Sequence, residues 1–257
     1  MAGFKDVFQR IEVKYLLSDR QYTELLKRLE NMAAIDSYGK TSILNIYFDT
    51  PDFKLIERSL EKPVYKEKLR LRTYGVASDD TNAFIEIKKK YKGVVYKRRI
   101  NMPYKEAMDY LTRDKELKER SQISDEIDYF KHFYKGLRPA MAISYDRIAM
   151  AGIEDPDLRI TFDENIRWRT ENLSLTEGNV GKDILLPGQH LMELKIAGAM
   201  SMELARILDE LEIRKTSFSK YGRGYMEYMY GQTNEMAMNG TTPEEMDNNI
   251  VSFRKAV

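Results

Sequence analysis

An α+β fold built on an antiparallel sheet or barrel, with flanking helices, is what this 257-residue sequence predicts. Three observations lead there. Segments with the period-two alternation of strands arrive in runs, not one by one with helices between them. The dipeptide Lys92-Gly93 sits between two such segments and reads as a hairpin turn. The helical segments are gathered between the runs and after them.

Taken in order, residues 10–17 alternate as a strand, and Ser18 then caps a helix to about Asn31 with Leu25, Leu26 and Leu29 on its apolar side. Residues 42–49 (SILNIYFD) form a strand that ends at the turn signal Thr50-Pro51-Asp52. Residues 64–74, 83–91 and 94–102 are three further strands, the first two separated by Asp79-Asp80-Thr81-Asn82. Pro103 opens a helix, and residues 124–134 form another. Strands resume at 140–149 and 158–168; the polar, glycine-containing span 171–188 reads as a mobile loop; 190–196 is the last strand. Residues 200–211 and 219–230 are helices. With no repeat, low-complexity tract or composition break, residues 1–233 read as one domain and 234–257 as a polar tail.

Composition narrows the chemistry. Hydrophobic residues make up 42% and charged residues 32%, the balance of a globular protein. The 42 Lys and Arg nearly cancel the 41 Asp and Glu, which argues against a general nucleic-acid binder. The absence of Cys excludes disulfides, thiolate catalysis and Cys-ligated zinc. His132 and His190 are the only histidines, so a bound metal would be a hard ion on carboxylates, Mg²⁺ or Mn²⁺. No stretch approaches the ~18 uninterrupted apolar residues of a membrane span, and the first residues lack the apolar core of a signal peptide, which suggests a cytoplasmic protein.

The strongest chemical signal is Lys66-Glu67-Lys68-Leu69-Arg70-Leu71-Arg72. Alternate residues of a strand share a face, so Lys66, Lys68, Arg70 and Arg72 make one cationic stripe. One such strand is ordinary for a solvated outer face. The next strand, however, puts Glu86, Lys88 and Lys90 on one face, and across the turn Lys97 and Arg99 share another. Residues 86–99 carry seven basic side chains and one acid. Like charges on neighbouring strands repel unless an anion lies between them. Further basic strand residues are Arg147 and Arg159, and Glu12-x-Lys14 and Glu193-x-Lys195 each place a carboxylate beside an amine. Carboxylates among so many cations suit either salt bridges or a divalent ion that also contacts phosphate. Gly178-Asn179-Val180-Gly181-Lys182-Asp183 lacks the spacing and the hydroxyl of a phosphate loop. The histidines and Trp168, between Arg167 and Arg169, read as structural.

Together Tyr47-Phe48-Asp49, Tyr65 to Arg72, Glu86-x-Lys88, Tyr145-Asp146-Arg147, Arg159-Ile160-Thr161-Phe162-Asp163, Glu193-Leu194-Lys195 and Ser217-Phe218-Ser219-Lys220-Tyr221 resemble the polyphosphate polymerase (vacuolar transporter chaperone, VTC) domain of the CYTH-like triphosphate tunnel metalloenzymes. The resemblance runs from about residue 8 to 231 and implies an eight-stranded antiparallel tunnel. It also implies transfer of the ATP γ-phosphoryl group to a polyphosphate chain with release of ADP, assisted by Mn²⁺ or Mg²⁺. By position it makes Arg70, Arg72, Lys88, Arg147, Arg159 and Lys220 catalytic. Lys14, Lys68, Lys97, Arg99, Tyr145 and Lys195 bind substrate, and Glu193 holds the metal. The family often has Lys where this chain has Ser217, which removes one cationic contact. The eukaryotic relatives' phosphate-sensing domain and membrane helices have no counterpart in this sequence. A triphosphatase of the same superfamily, a cyclase, or a non-catalytic polyanion-binding module are the competing readings.

Overall fold

The computed structural model describes residues 10–117 and 119–238. Its elements, in order, are β1 (Arg10–Ser18), α1 (Asp19–Leu29), β2 (Ala33–Asp49), α2 (Lys54–Leu60), β3 (Tyr65–Tyr74), β4 (Asn82–Tyr91), β5 (Val94–Pro103), α3 (Tyr104–Thr112), α4 (Gln122–Phe133), β6 (Arg138–Gly152), β7 (Arg159–Arg169), β8 (Lys182–Asp183), β9 (Gln189–Ala197), α5 (Met202–Glu210), β10 (Lys215–Thr216) and α6 (Lys220–Met238). The strands bond in the order β10-β1-β9-β7-β6-β2-β3-β4-β5, with β8 on β7. The α+β antiparallel architecture is therefore present. The expected closed barrel of eight strands is not: there are ten strands, and the order ends on β10 and β5 without a pairing between them among the described residues. Two of the ten, β8 and β10, are only two residues long, so the eight long strands of the expectation are all found. No helix among the described residues is long and apolar enough to cross a membrane.

Contacts divide the chain into two compact units, and β2, β6 and β7 pass from one to the other. Among the described residues the first unit comprises 10–42, Tyr145–Ile166 and Leu185–Phe218. Here β1 pairs with β9 from Arg10↔Ala197 to Ser18↔Gln189, and β9 pairs with β7 from Arg159↔Lys195 to Asp163↔Leu191. Alternation sends Tyr15, Leu17, Ile160, Phe162, Leu194 and Ile196 to one face, where α1 and α5 add Leu25, Leu29, Leu204 and Leu208 to a buried core. Ser18 caps α1 with a full capping box: its hydroxyl accepts from the Gln21 N–H, and the Gln21 side chain accepts from the Ser18 N–H.

Among the described residues the second unit comprises 43–117, 119–144, Arg167–Ile184 and 219–238. β2, β3, β4 and β5 form a meander here, paired through Ile46↔Leu71↔Ile85↔Ile100. Those residues face a core completed by Leu55 of α2, Ala107 and Tyr110 of α3, and Ile127 and Phe130 of α4. Lys92 (φ 45°) and Gly93 (φ 87°) both take positive φ, the backbone a two-residue hairpin turn requires. The sequence reading missed α2, which has no side-chain cap of its own. The span read as a mobile loop is tied down. It holds a 3-10 turn at Leu175–Glu177 and β8, Arg167 donates to the Asn179 carbonyl, and Arg169 donates to those of Asn172, Ser174 and Val180. Those carbonyls are turned to arginines and form no phosphate loop. α6 continues to Met238, beyond the residue 233 boundary read from the sequence.

Candidate functional site

With Leu69, Leu71, Ile85, Ile87 and Ile100 committed to the core of the second unit, the pleat sends their neighbours to the opposite face. Register sets those neighbours in rows: Asn45–Arg72–Phe84–Asn101, Tyr47–Arg70–Glu86–Arg99, Lys68–Lys88–Lys97 and Lys66–Lys90–Val95. All five cations that the resemblance assigned to β3 and β4 or to Lys97, and Arg99 with them, thus share one face. Among the residues of these rows Glu86 is the one carboxylate. That side chain is 1% exposed and ion-paired with Arg70 (Nη2 at 2.6 Å) and Lys97 (Nζ at 2.6 Å). Burial opposes its charge, but Arg70, Arg72 and Lys97 outweigh burial and hold the carboxyl down at about 2. Glu86 therefore orients cations. As a metal ligand it would have to share its oxygens with both partners.

The other partners act in the same way. Arg70 Nη1 donates to the Tyr47 hydroxyl at 3.3 Å, and buried Arg72 donates through Nε to Asn45 Oδ1 at 2.8 Å. Asn45 is fixed in turn by donating to the Ile143 carbonyl at 2.9 Å. The Arg99 guanidinium lies 4.9 Å from the Phe84 ring centre. Lys68 reaches Ser219, the residue before α6, at 3.4 Å and stands over the Tyr221 ring at 5.7 Å. Lys220 is the first residue of α6. Asp49, fully buried, holds this corner together: it accepts from the N–H groups of Thr50, Leu55 and Ile56 and from the Tyr221 hydroxyl at 2.8 Å. Tyr221 stacks on Tyr47 at 4.5 Å between centroids. Asn45, Asp49 and Tyr221 were not among the predicted site residues. The signal was in SILNIYFD, where Asn45, Tyr47 and Asp49 alternate with the apolar Leu44, Ile46 and Phe48.

The first unit carries a charged cluster of its own. The rows are Lys14–Glu193–Thr161 and Glu12–Lys195–Arg159. Glu193 pairs with Lys195 at 2.8 Å and with Lys14 at 3.7 Å. Burial again opposes its charge, and Lys195, Lys14 and Arg147 together hold the carboxyl down at about 2. Lys14 also donates to the Phe218 carbonyl at 2.9 Å. Arg147 makes a two-pronged pair with fully buried Asp163, at 2.6 Å and 2.8 Å, beside the buried Tyr145 ring. Exposed Arg159 donates to the carbonyls of Pro156 and Leu158. Asp163 is a partner that sequence reasoning missed. His190 pairs with Asp19 at 2.7 Å and stacks on Tyr22, and Trp168 donates to Glu227 at 2.7 Å.

A divalent ion fits this second cluster only on certain terms. No group of three His, Asp or Glu side chains able to hold a metal occurs among the described residues. Glu193 is charged, however, and its register neighbour Thr161 has a buried hydroxyl oxygen with no hydrogen-bond partner. A carboxylate and an orphaned hydroxyl are hard oxygen donors. They suit an ion that keeps several waters and draws its other ligands from substrate phosphate.

A profile of the VTC domain family matches residues 9–229. Two solved structures share the fold. A candidate adenylate cyclase from Bacillus halodurans is 17% identical, with a TM-score of 0.52 over 82% of this chain and 93% of that one. A candidate adenylyl cyclase from Hippeastrum, described as having a dominant triphosphatase activity, is 16% identical, with a TM-score of 0.54 over 85% and 96%. No curated protein sequence matches significantly.

Proposed function

We propose, from the premise that this chain belongs to the VTC domain family, that it is a cytoplasmic polyphosphate polymerase that moves the γ-phosphoryl group of ATP to the end of an inorganic polyphosphate chain. The observation that carries this reading is the face of β3, β4 and β5, where Lys68, Lys88 and Lys97 stand directly opposite one another and Arg70 and Arg99 flank the single carboxylate of Glu86. An array of that kind is unfavourable by itself and favourable around a polyanion. Phosphoryl transfer asks for positioning and charge neutralisation more than for covalent help from the protein.

In this reading Arg70, Arg72 and Arg99 offer planar forks to phosphate oxygens, while Lys68, Lys88, Lys97 and Lys220 supply point charges. Glu86 and Asn45 keep Arg70, Lys97 and Arg72 from swinging away when no substrate is bound. In the first unit, Lys14, Lys195, Arg147 and Arg159 are further phosphate contacts, and the Tyr145 hydroxyl is a neutral donor. Glu193, with Thr161 beside it, is the ligand for Mn²⁺ or Mg²⁺, which when bound supplies charge neutralisation on phosphate oxygens. An oxygen of the chain's terminal phosphate attacks the γ-phosphorus, the bond from that phosphorus to the β–γ bridging oxygen breaks, and ADP leaves with the bond's electron pair. The attacking oxygen is already anionic, so no general base is required.

The test is incubation of the protein with ATP and Mn²⁺, with gel staining for polyphosphate and an ADP assay. Polymer and ADP should appear in step. Free phosphate without polymer would move the chain to the triphosphatases, and tight polyphosphate binding without turnover would make it a binding module.

A further inference from the structure

The cationic face of the second unit is longer than the site it has so far been given. Same-face residues of a strand are about 6.6 Å apart, so the four rows from Lys66 to Arg72 span roughly 20 Å. The end phosphorus atoms of a triphosphate are separated by only two bridging oxygens and cannot reach from one end to the other. The rows of Lys68, Arg70 and Arg72 accommodate a triphosphate, which leaves the outermost row, Lys66 opposite Lys90, outside it.

That row has the character of an anion site. Lys66 and Lys90 are direct cross-strand partners of like charge, with the Lys68–Lys88 pair next to them. Burial, and after it the like charges of Lys90, Lys88 and Lys62, push the Lys66 ammonium below the ordinary lysine range. Lys66 Nζ is fixed by donating to the Ser59 carbonyl at 3.0 Å, at the end of α2, whereas Lys90 is exposed. Beyond Lys90 the row ends on Val95. No aromatic side chain occupies it; Phe84 is engaged by Arg99, and buried Tyr221, beneath Lys68 of the next row, is stacked on Tyr47. Single-stranded nucleic acid is usually held on stacking platforms between its phosphate contacts. The two ammoniums of this row, without such a platform, suit a ligand that is phosphate throughout.

We infer that Lys66 and Lys90 form a subsite for the continuing chain of an extended inorganic polyphosphate, beyond the three phosphates held by the inner rows. This rests on the polymerase reading and sharpens it, because a triphosphatase has no use for the outer row.

The experiment measures binding of tripolyphosphate and of long-chain polyphosphate, at one fixed ionic strength, to wild type, Lys90→Gln and Lys66→Met/Lys90→Gln. Lys90→Gln alters an exposed side chain, so it keeps the test open if the double variant melts early. Wild type should bind the long chain more tightly than tripolyphosphate. Each lysine lost should weaken long-chain binding roughly two- to fivefold, while tripolyphosphate affinity stays within about twofold. Equal losses for both ligands, unchanged long-chain affinity in the double variant, or a single-stranded oligonucleotide competing as well as polyphosphate would each overturn the subsite. Wild type that binds neither phosphate ligand would overturn the function itself. Long-chain binding that depends on the outer row, without ATP turnover, would sustain the subsite and reject the polymerase.

Discussion

At Glu86 one carboxylate faces three cations, and the balance of burial against their charge makes it a measurable device. Its folded carboxyl, at about 2, lies below the unfolded value of 4.5. Between those values the unfolded chain binds the extra proton, so the stability this group contributes is complete above pH 4.5 and disappears as pH falls toward 2. The size is of order 3 kcal/mol. Denaturant unfolding of wild type and Glu86→Gln at a series of pH values should show the gap between them closing across that window; a gap that stays constant from neutral pH to pH 2 would mean the carboxylate is not held by its cations. Glu193 has similar surroundings and a different expected outcome. Glu193→Gln should retain nucleotide binding and lose metal-stimulated turnover, read as ADP release with and without Mn²⁺. Full Mn²⁺ stimulation in that variant would place the ion on another carboxylate, Glu12 being the next candidate because Glu86 is ion-paired with both Arg70 and Lys97. Both glutamates were visible in the sequence as Glu-x-Lys pairs. Which of them orients cations and which is left beside an orphaned hydroxyl depended on their cross-strand partners.

Elements set where these side chains point. β3 over Lys68–Arg72 and β4 over Ile85–Lys88 alternate apolar and charged residues, so their faces could be read without a structure, and the Lys92-Gly93 turn fixes the register between β4 and β5. α6 is different: its face is settled by hydrogen bonds from Tyr221 to Asp49 and from Tyr225 to Glu57, and by Gly224, where a Cβ would meet Met141 Sδ at 2.8 Å. Burial raises the Asp49 carboxyl even against four donors. Tyr221→Phe should therefore cost about 1–3 kcal/mol in urea unfolding and loosen the first turn that carries Lys220. No loss would mean that the three backbone donors satisfy Asp49 by themselves. α2 was illegible because it begins at Phe53 in a left-handed conformation (φ 56°), and its exposed N–H groups are met by Asp49 and the Thr50 hydroxyl, not by a capping residue at its own start.

For the whole molecule, the formal net charge of +1 conceals the concentration of cations on one sheet face. Repulsion there should make the ligand-free protein less stable at low salt, and polyphosphate should relieve it. At a ligand concentration about a hundredfold above Kd the gain is roughly 2.7 kcal/mol, or about 5 °C or more in Tm for a chain of this size. The rise should shrink sharply in 0.5 M salt, about the regime where screening reaches within a few ångströms; a rise insensitive to salt would contradict an electrostatic site. The sequence by itself determined the α+β class, the eight long strands, the cationic stripes and the family, because period-two alternation and charge placement are local properties of the chain. Tertiary structure alone decided that β10 and β5 do not pair among the described residues, that Arg147 is committed to Asp163, that Arg72 rests on Asn45, and that Lys66 meets Lys90. Each of these depends on which distant segments pair and in what register, and register comes from packing two separate cores, not from any window of neighbouring residues.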